Sequence, residues 1–256
     1  MELVYTYNMR LLFYTFVFLN LVSCNKEDAW ECIQTSGTII SQEIEIDPFD
    51  RILVNRDIEL VIKQGLEYKV KIQTGQNLLD AIEVVVVDNQ LQLSDHNGCN
   101  LTRDYGLTKM TVTTPTLKEI RSNTQYLISS EGVLNFENLT LLCEDYLSDY
   151  FSQGDFKMTT NTETLRVVAN NLSIFTISGF TETLSVVLAS GTCQFNGADL
   201  NAQHVTVFQR SSHDIIVNPQ QSLEGEIRSV GNVISVRTPP IVNVEQYYSG
   251  QLLFLD

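Results

Sequence analysis

A drifting repeat in the second half of the chain constrains its fold more than any other feature. Strand-like runs begin at Leu117, Leu139, Leu165, Leu184, Val205 and Leu223, in steps of 22, 26, 19, 21 and 18 residues. Three successive units open on Leu165-Arg166-Val167-Val168, Leu184-Ser185-Val186-Val187 and Val205-Thr206-Val207-Phe208. Each turns a polar corner, at Asn170-Asn171, Ser190-Gly191 or Ser211-Ser212. Each then gives a second short strand, within 174–177, 193–195 or 215–217. A unit of about twenty residues cannot bury its own apolar face, but a stack of such units shares one continuous core. The pattern therefore predicts a β-solenoid. A β-sandwich would also give strands every ~8–12 residues, so the longer period is what separates the two.

The first half reads as strands and turns without that period. Glu43-Ile44-Glu45-Ile46, Tyr68-Lys69-Val70-Lys71-Ile72 and Gln90-Leu91-Gln92-Leu93 alternate polar with apolar, which buries one face and wets the other. Ile58 to Lys63 is a further strand, and Asn77 to Ile82 reads as one helical turn. We expect an all-β protein in which an N-terminal antiparallel strand region (32–116) leads into repeating coils (117–240). No linker rich in Pro, Gly or Ser divides the two. Residues 241–256, ending in apolar Leu252-Leu253-Phe254-Leu255, are expected to cap the last coil, because an uncovered strand edge invites aggregation.

The beginning of the chain reads as an export signal. Arg10 precedes the apolar run Leu11 to Leu19, which is of signal-peptide length and too short for a comfortable membrane span of about 20 residues. The run closes on Leu21-Val22-Ser23-Cys24, which resembles a bacterial lipobox. Residues 1–23 are thus expected to be removed, Cys24 to carry the lipid, and 24–31 to form a tether to the outer membrane. Lys26-Glu27-Asp28 resembles the export signal of surface lipoproteins of the Bacteroidota, which favours the cell surface over the periplasm.

The 256 residues carry a formal net charge of −15, and Glu2 and Arg10 cancel within the leader. The whole deficit stays with the mature chain, where cations are scattered singly, so nucleic-acid binding is not expected. Of five cysteines, four remain after Cys24. Cys32 and Cys99 lie in polar, turn-rich surroundings in an oxidising compartment and are expected to pair. Cys143 and Cys193 lie in strand-like runs and read as buried free thiols. Without a Cys-x-x-Cys spacing a structural zinc site has no support.

An ordered series of segments carries a family resemblance. It runs through Cys32 to Gly37, Phe49-Asp50-Arg51-Ile52, Ile58 to Gly65, Gly75 to Ile82, Asn89 to Leu93, Cys99-Asn100 and Pro115 to Ile120. Together these resemble the putative auto-transporter adhesin, head GIN domain family, lipoproteins common in the Bacteroidota, over about Cys32 to Pro240. The resemblance implies a right-handed β-solenoid and an adhesion role, with no catalytic residues to carry over. Members repeat Gly-Ser-Gly-Asp-like corners; here these are worn to Ser178-Gly179 and Ser190-Gly191.

Chemistry-bearing clusters are few. Ser211-Ser212-His213-Asp214 contains the residue types of a hydrolytic triad. Adjacent strand residues point to opposite faces, however, and no Gly-x-Ser-x-Gly elbow is present. Glu144, Asp145, Asp149 and Asp155 would suit calcium only if they converged; a solvated acidic edge is the plainer reading. Tyr126, Tyr146, Tyr150 and Phe151 fall where coils would meet and are the candidate ligand-binding residues, since flat aromatics stack on sugars or dock partners. The expectation is a non-enzymatic, cofactor-free and metal-free surface lipoprotein that binds a glycan or protein. The alternatives are a polysaccharide lyase-like β-helix enzyme and a periplasmic scaffold.

Overall fold

The computed structural model describes residues 32–101, 103–145 and 153–255. Cys24 and the leader lie outside the described residues, as do Tyr146, Asp149, Tyr150 and Phe151. Among the described residues the structure is almost entirely β, with a short 3-10 helix at Gln76–Ala81. The first strands are β1 (Ile39–Glu45), β2 (Arg51–Val54), β3 (Ile58–Gln64) and β4 (Lys69–Gly75). After the 3-10 helix come β5 (Ile82–Val87), β6 (Gln90–Asp95), β7 (Thr108–Thr114), β8 (Glu119–Ser122), β9 (Ile128–Leu134) and β10 (Asn138–Cys143). Four long strands follow: β11 (Phe156–Ala169), β12 (Ile174–Leu188), β13 (Gln194–Gln209) and β14 (Ile215–Ile227). The chain closes with β15 (Val233–Ser235), β16 (Ile241–Gln246) and β17 (Leu252–Phe254).

These strands form one 17-stranded sheet, curled around a single core. Two ladders line that core. One runs β5, β6, β2, β8, β10, β11, β12, β13, β14, β16. The other runs β1, β4, β7, β3, β9, β11, and then shares β12, β13 and β14 before β15 and β17. Each of β11 to β14 contributes its first half to one ladder and its second half to the other.

The repeat read from the sequence is the rung-to-rung register. Leu139 pairs with Leu165, Leu165 with Leu184, Leu184 with Val205, Val205 with Leu223, and Leu223 with Val242, all in parallel. Leu139, Leu165, Leu184, Val205 and Leu223 are buried in the core. Alternation places Val167, Val186 and Val207 beside them on the inner face and leaves Arg166, Ser185 and Thr206 outward. Full burial of one such aliphatic side chain contributes roughly 1.5–3 kcal/mol. The stack is thus held by many equivalent layers and by no single residue.

The first half departs from expectation. It is not an antiparallel sheet. β2 pairs in parallel with both β6 and β8, and β3 in parallel with both β7 and β9. Antiparallel pairing is confined to β1–β4, β4–β7 and β5–β6. The reason is that Ile58, Leu60 and Ile62 alternate into the core whichever way their neighbours run. Period two reports which face is buried, not the direction of the adjacent strand. Arg51 to Val54 sit on Glu119 to Ser122 as one rung on the next, so the ladder continues through residue 116 without a break. Lys118 Nζ, 2.8 Å from the Asp50 carboxylate, clips that junction.

Residues 241–255 add a rung to each ladder, through β16 on β14 and β17 on β15. Ile241, Tyr248 and Leu255 remain exposed there.

Candidate binding site beside the disulfide

Cys32 and Cys99 are disulfide-bonded, with Cα atoms 4.5 Å apart. The bridge pins the start of the described chain to the segment between β6 and β7, which has no regular secondary structure. Arg103 organises that segment. Its guanidinium donates to the carbonyls of Gln34 at 3.2 Å, Asn97 at 3.1 Å and Cys99 at 2.8 Å. The Asn100 side chain closes a local turn, accepting from Arg103 N–H at 2.7 Å and donating to Arg103 O at 2.8 Å. Leu101 N–H donates to Cys32 O. A stretch without periodic apolar residues is thereby fixed by polar contacts and one covalent link.

The fixed segment borders a partly open polar cavity of about 50 Å3, whose walls include Asp57, Asp95, Asn97, Arg103, Tyr105 and Gly106. A water needs roughly 10–15 Å3 measured in this way, so the space suits a few waters or a protruding polar group of a larger ligand. At its base, nearly buried Asp95 accepts from Thr108 Oγ1 at 2.6 Å and from Asn97 N–H at 2.9 Å. The Thr108 hydroxyl also bonds that of Thr74, 2.9 Å away. On one wall Asp57 adopts a left-handed backbone (φ 68°) and accepts from Gln125 Nε2 at 2.7 Å. Tyr105 stands at the rim, 76% exposed.

Tyr126, singled out from the sequence, lies behind this wall. Its ring packs on Gly106 so closely that a Cβ there would come within 2.9 Å of Cε1. Burial raises its phenol pKa, and the Asp57 carboxylate and the neighbouring Tyr105 push the same way. Tyr126 therefore stays a neutral hydroxyl across physiological pH. The exposed aromatic at the cavity is Tyr105, which sequence reasoning misses; its only local signal is the turn-like Asp104-Tyr105-Gly106.

The other candidates are dispersed. The Asp214 carboxylate accepts from Asn232 N–H at 2.8 Å, and the Ser211 hydroxyl donates to Cys193 O at 2.5 Å. The His213 ring meets the Ser212 hydroxyl at 3.4 Å, and Ser211 Oγ accepts from His213 N–H at 3.2 Å, but the Asp214 carboxylate is engaged with Asn232, so no Ser–His–Asp relay is assembled. The acidic stretch is equally divided. Glu144 faces Arg121 at 3.7 Å, Asp145 accepts from Asn171 at 2.6 Å, and Asp155 accepts from Ile174 N–H at 3.0 Å. Among the described residues no group of three His, Cys, Asp or Glu side chains is placed to hold a metal ion. Cys143 and Cys193 are free and buried, and burial pushes the Cys143 thiol up to about 12. Neither is a nucleophile near neutral pH.

The family model for the putative auto-transporter adhesin, head GIN domain matches residues 48–239. The chain belongs to that family. Solved structures agree on the fold of this head GIN chain. A putative adhesin from Bacteroides fragilis NCTC 9343 is 19% identical and superposes with a TM-score of 0.75, covering 86% of this chain and 99% of its own. A putative lipid binding protein from Parabacteroides distasonis ATCC 8503 gives 14% identity and 0.63, over 86% of this chain and 98% of its own. A putative adhesin from Parabacteroides merdae ATCC 43184 gives 14% and 0.56, over 86% and 97%. Comparison with curated proteins gives no match. Among the described residues no helix is long and apolar enough to cross a membrane.

Proposed function

We infer that this head GIN protein is a non-enzymatic surface lipoprotein whose stacked β-structure presents a binding face to a glycan or a protein. The observation that carries this reading is the cavity beside the Cys32–Cys99 bridge. It is polar, preformed and rimmed by an exposed tyrosine, and the side chains of Asp95, Asn97, Asn100, Arg103 and Thr108 hold its shape through hydrogen bonds. A glycan suits such a site, because the tyrosine ring at the rim covers a pyranose face while one protruding polar group of the sugar reaches the carboxylate and amide groups below. The walls offer carboxylates and a tyrosine. Arg103, the basic group there, donates to three backbone carbonyls.

The stack is read as a right-handed β-solenoid. Parallel rungs offset by about twenty residues through β11 to β14 support that reading. Cys24 is read as the lipidated residue, and Lys26-Glu27-Asp28 as the signal that sends the protein to the outer face of the outer membrane. Loss of fatty-acid labelling in Cys24→Ala tests the anchor, and protease shaving of intact cells tests the face. For the binding role, a glycan array probed with the wild type and Tyr105→Ala is the test. Wild-type signals that vanish in the variant support the site, and signals unchanged in the variant remove it.

A further inference from the structure

β5 is an edge strand with the chemistry of a docking strand. Among the described residues it pairs only with β6. The two are joined by Asp88 and Asn89, both left-handed (φ 48° and 65°), as a two-residue hairpin loop requires. His96 N–H donates to Ala81 O at 3.0 Å. Counting along the antiparallel register from that pair, Glu83, Val85 and Val87 direct their backbone polar groups at β6. Val84 and Val86 direct theirs outward, where no strand of the described chain receives them, while Ile82 N–H is taken up by Leu79 O at the end of the 3-10 helix. The side chains of Val84 and Val86 turn toward the core, against Leu93 and Leu91.

Beside that free edge lies a groove of about 440 Å3, lined by Val84, Val86, Ile46, Glu45 and Asp47. Its floor is apolar and its rim acidic. Glu45 and Asp47 are exposed, and neither has a cation within ion-pairing distance among the described residues. Natural edge strands are usually blunted with lysine, proline or a bulge. This one runs Ile82-Glu83-Val84-Val85-Val86-Val87, with no lysine and no proline. An unprotected apolar edge next to an unpaired acidic rim fits an incoming strand that brings apolar and basic side chains alternately. A second copy of the chain fits less well, because its net charge of −15 opposes approach to an acidic rim.

We propose that β5 and this groove dock an extended segment of a partner protein, added to the sheet as a further strand, with basic side chains against Glu45 and Asp47 and apolar ones over Val84 and Val86. The surface is separate from the cavity beside the disulfide, so either can fail without the other.

The test is fluorescence anisotropy of a labelled, blocked hexapeptide of alternating lysine and valine, titrated with the purified full chain. A hexapeptide of alternating glutamate and valine is the control. The lysine peptide binds and the glutamate peptide does not. Val84→Pro removes an outward N–H while leaving the bonds to β6 intact, and it weakens binding at least ten-fold. Glu45→Lys with Asp47→Lys changes only exposed side chains, keeps the fold, and reverses the preference between the peptides. Equal binding of both peptides, or charge-reversed protein that still prefers lysine, overturns the proposal. So does a wild-type dimer that Val84→Pro converts to monomer, which would make a second copy the occupant.

Discussion

Phe156 and Phe175 stack face to face, ring centroids 4.8 Å apart and planes 10° apart, one rung above the other. They are direct partners in the parallel register of β11 and β12, and Phe195 of β13 occupies the next rung. All three are fully buried. Phe175 is the middle layer, so Phe175→Ala leaves a cavity closed above and below. Such truncations cost about 3–5 kcal/mol. Phe180, on the same strand but 37% exposed, is expected to cost a small fraction of that. Urea unfolding of the two alanine variants measures the difference directly.

Gly225 is a half-buried position where an added Cβ meets the backbone of the neighbouring strand. It pairs with Val207, has φ 131°, and a Cβ there would lie 1.9 Å from Val207 O. Gly225→Ala must both strain the backbone, at roughly 1–3 kcal/mol, and push adjacent rungs apart. A fall in melting temperature is expected, larger than that of Gly132→Ala, which shares the positive φ (80°) but where an added Cβ meets nothing within 4 Å.

The period is legible because the residues that start each unit are the residues that touch. Leu165, Leu184, Val205 and Leu223 are successive partners in one buried column. Leu117 stands one position away from that column. Ile120 pairs with Leu141, a step of 21 residues, whereas Leu117 to Leu139 is a step of 22. Strand direction in the first half is not legible, because Ile52 and Val54 bury identically beside a parallel or an antiparallel neighbour. The polar cavity is hidden for a different reason. Asn97 to Tyr105 carries no period, and its shape comes from Arg103, Asn100 and a bridge spanning 67 residues. Those long-range polar contacts leave no local pattern.

Loss of the bridge should loosen this segment first. In the chain-entropy model, opening a loop of that length removes about 4 kcal/mol. Cys32→Ser with Cys99→Ser is expected to lower stability by a comparable amount. Hydrogen exchange should rise soonest at residues 97–107, while β12 and β13 stay protected.

The two free thiols are expected to be silent. Burial holds the Cys143 thiol up at about 12 and raises that of Cys193. At pH 8 both are protonated as well as enclosed, so iodoacetamide should modify neither in the folded chain and both after denaturation. Rapid native alkylation of Cys143 would contradict its place inside the stack.

Residues 241–255 cover inner-face side chains of the rung before them. Leu223 lies beneath Val242, and Val233 beneath Leu252. Truncation after Pro240 uncovers Leu223, Ile227 and Val233, all fully buried in the whole chain. Light scattering on heating should show earlier aggregation than for the full chain.

The polar cavity is the recognition site, on this reading, and Tyr105 is its exposed face. Calorimetric titration of a glycan selected on an array, against wild type, Tyr105→Ala and the distant control Tyr248→Ala, tests this most directly. The expected result is binding by wild type and Tyr248→Ala alike, and at least ten-fold weaker binding by Tyr105→Ala with an unchanged melting temperature. Equal affinity of all three proteins would contradict it.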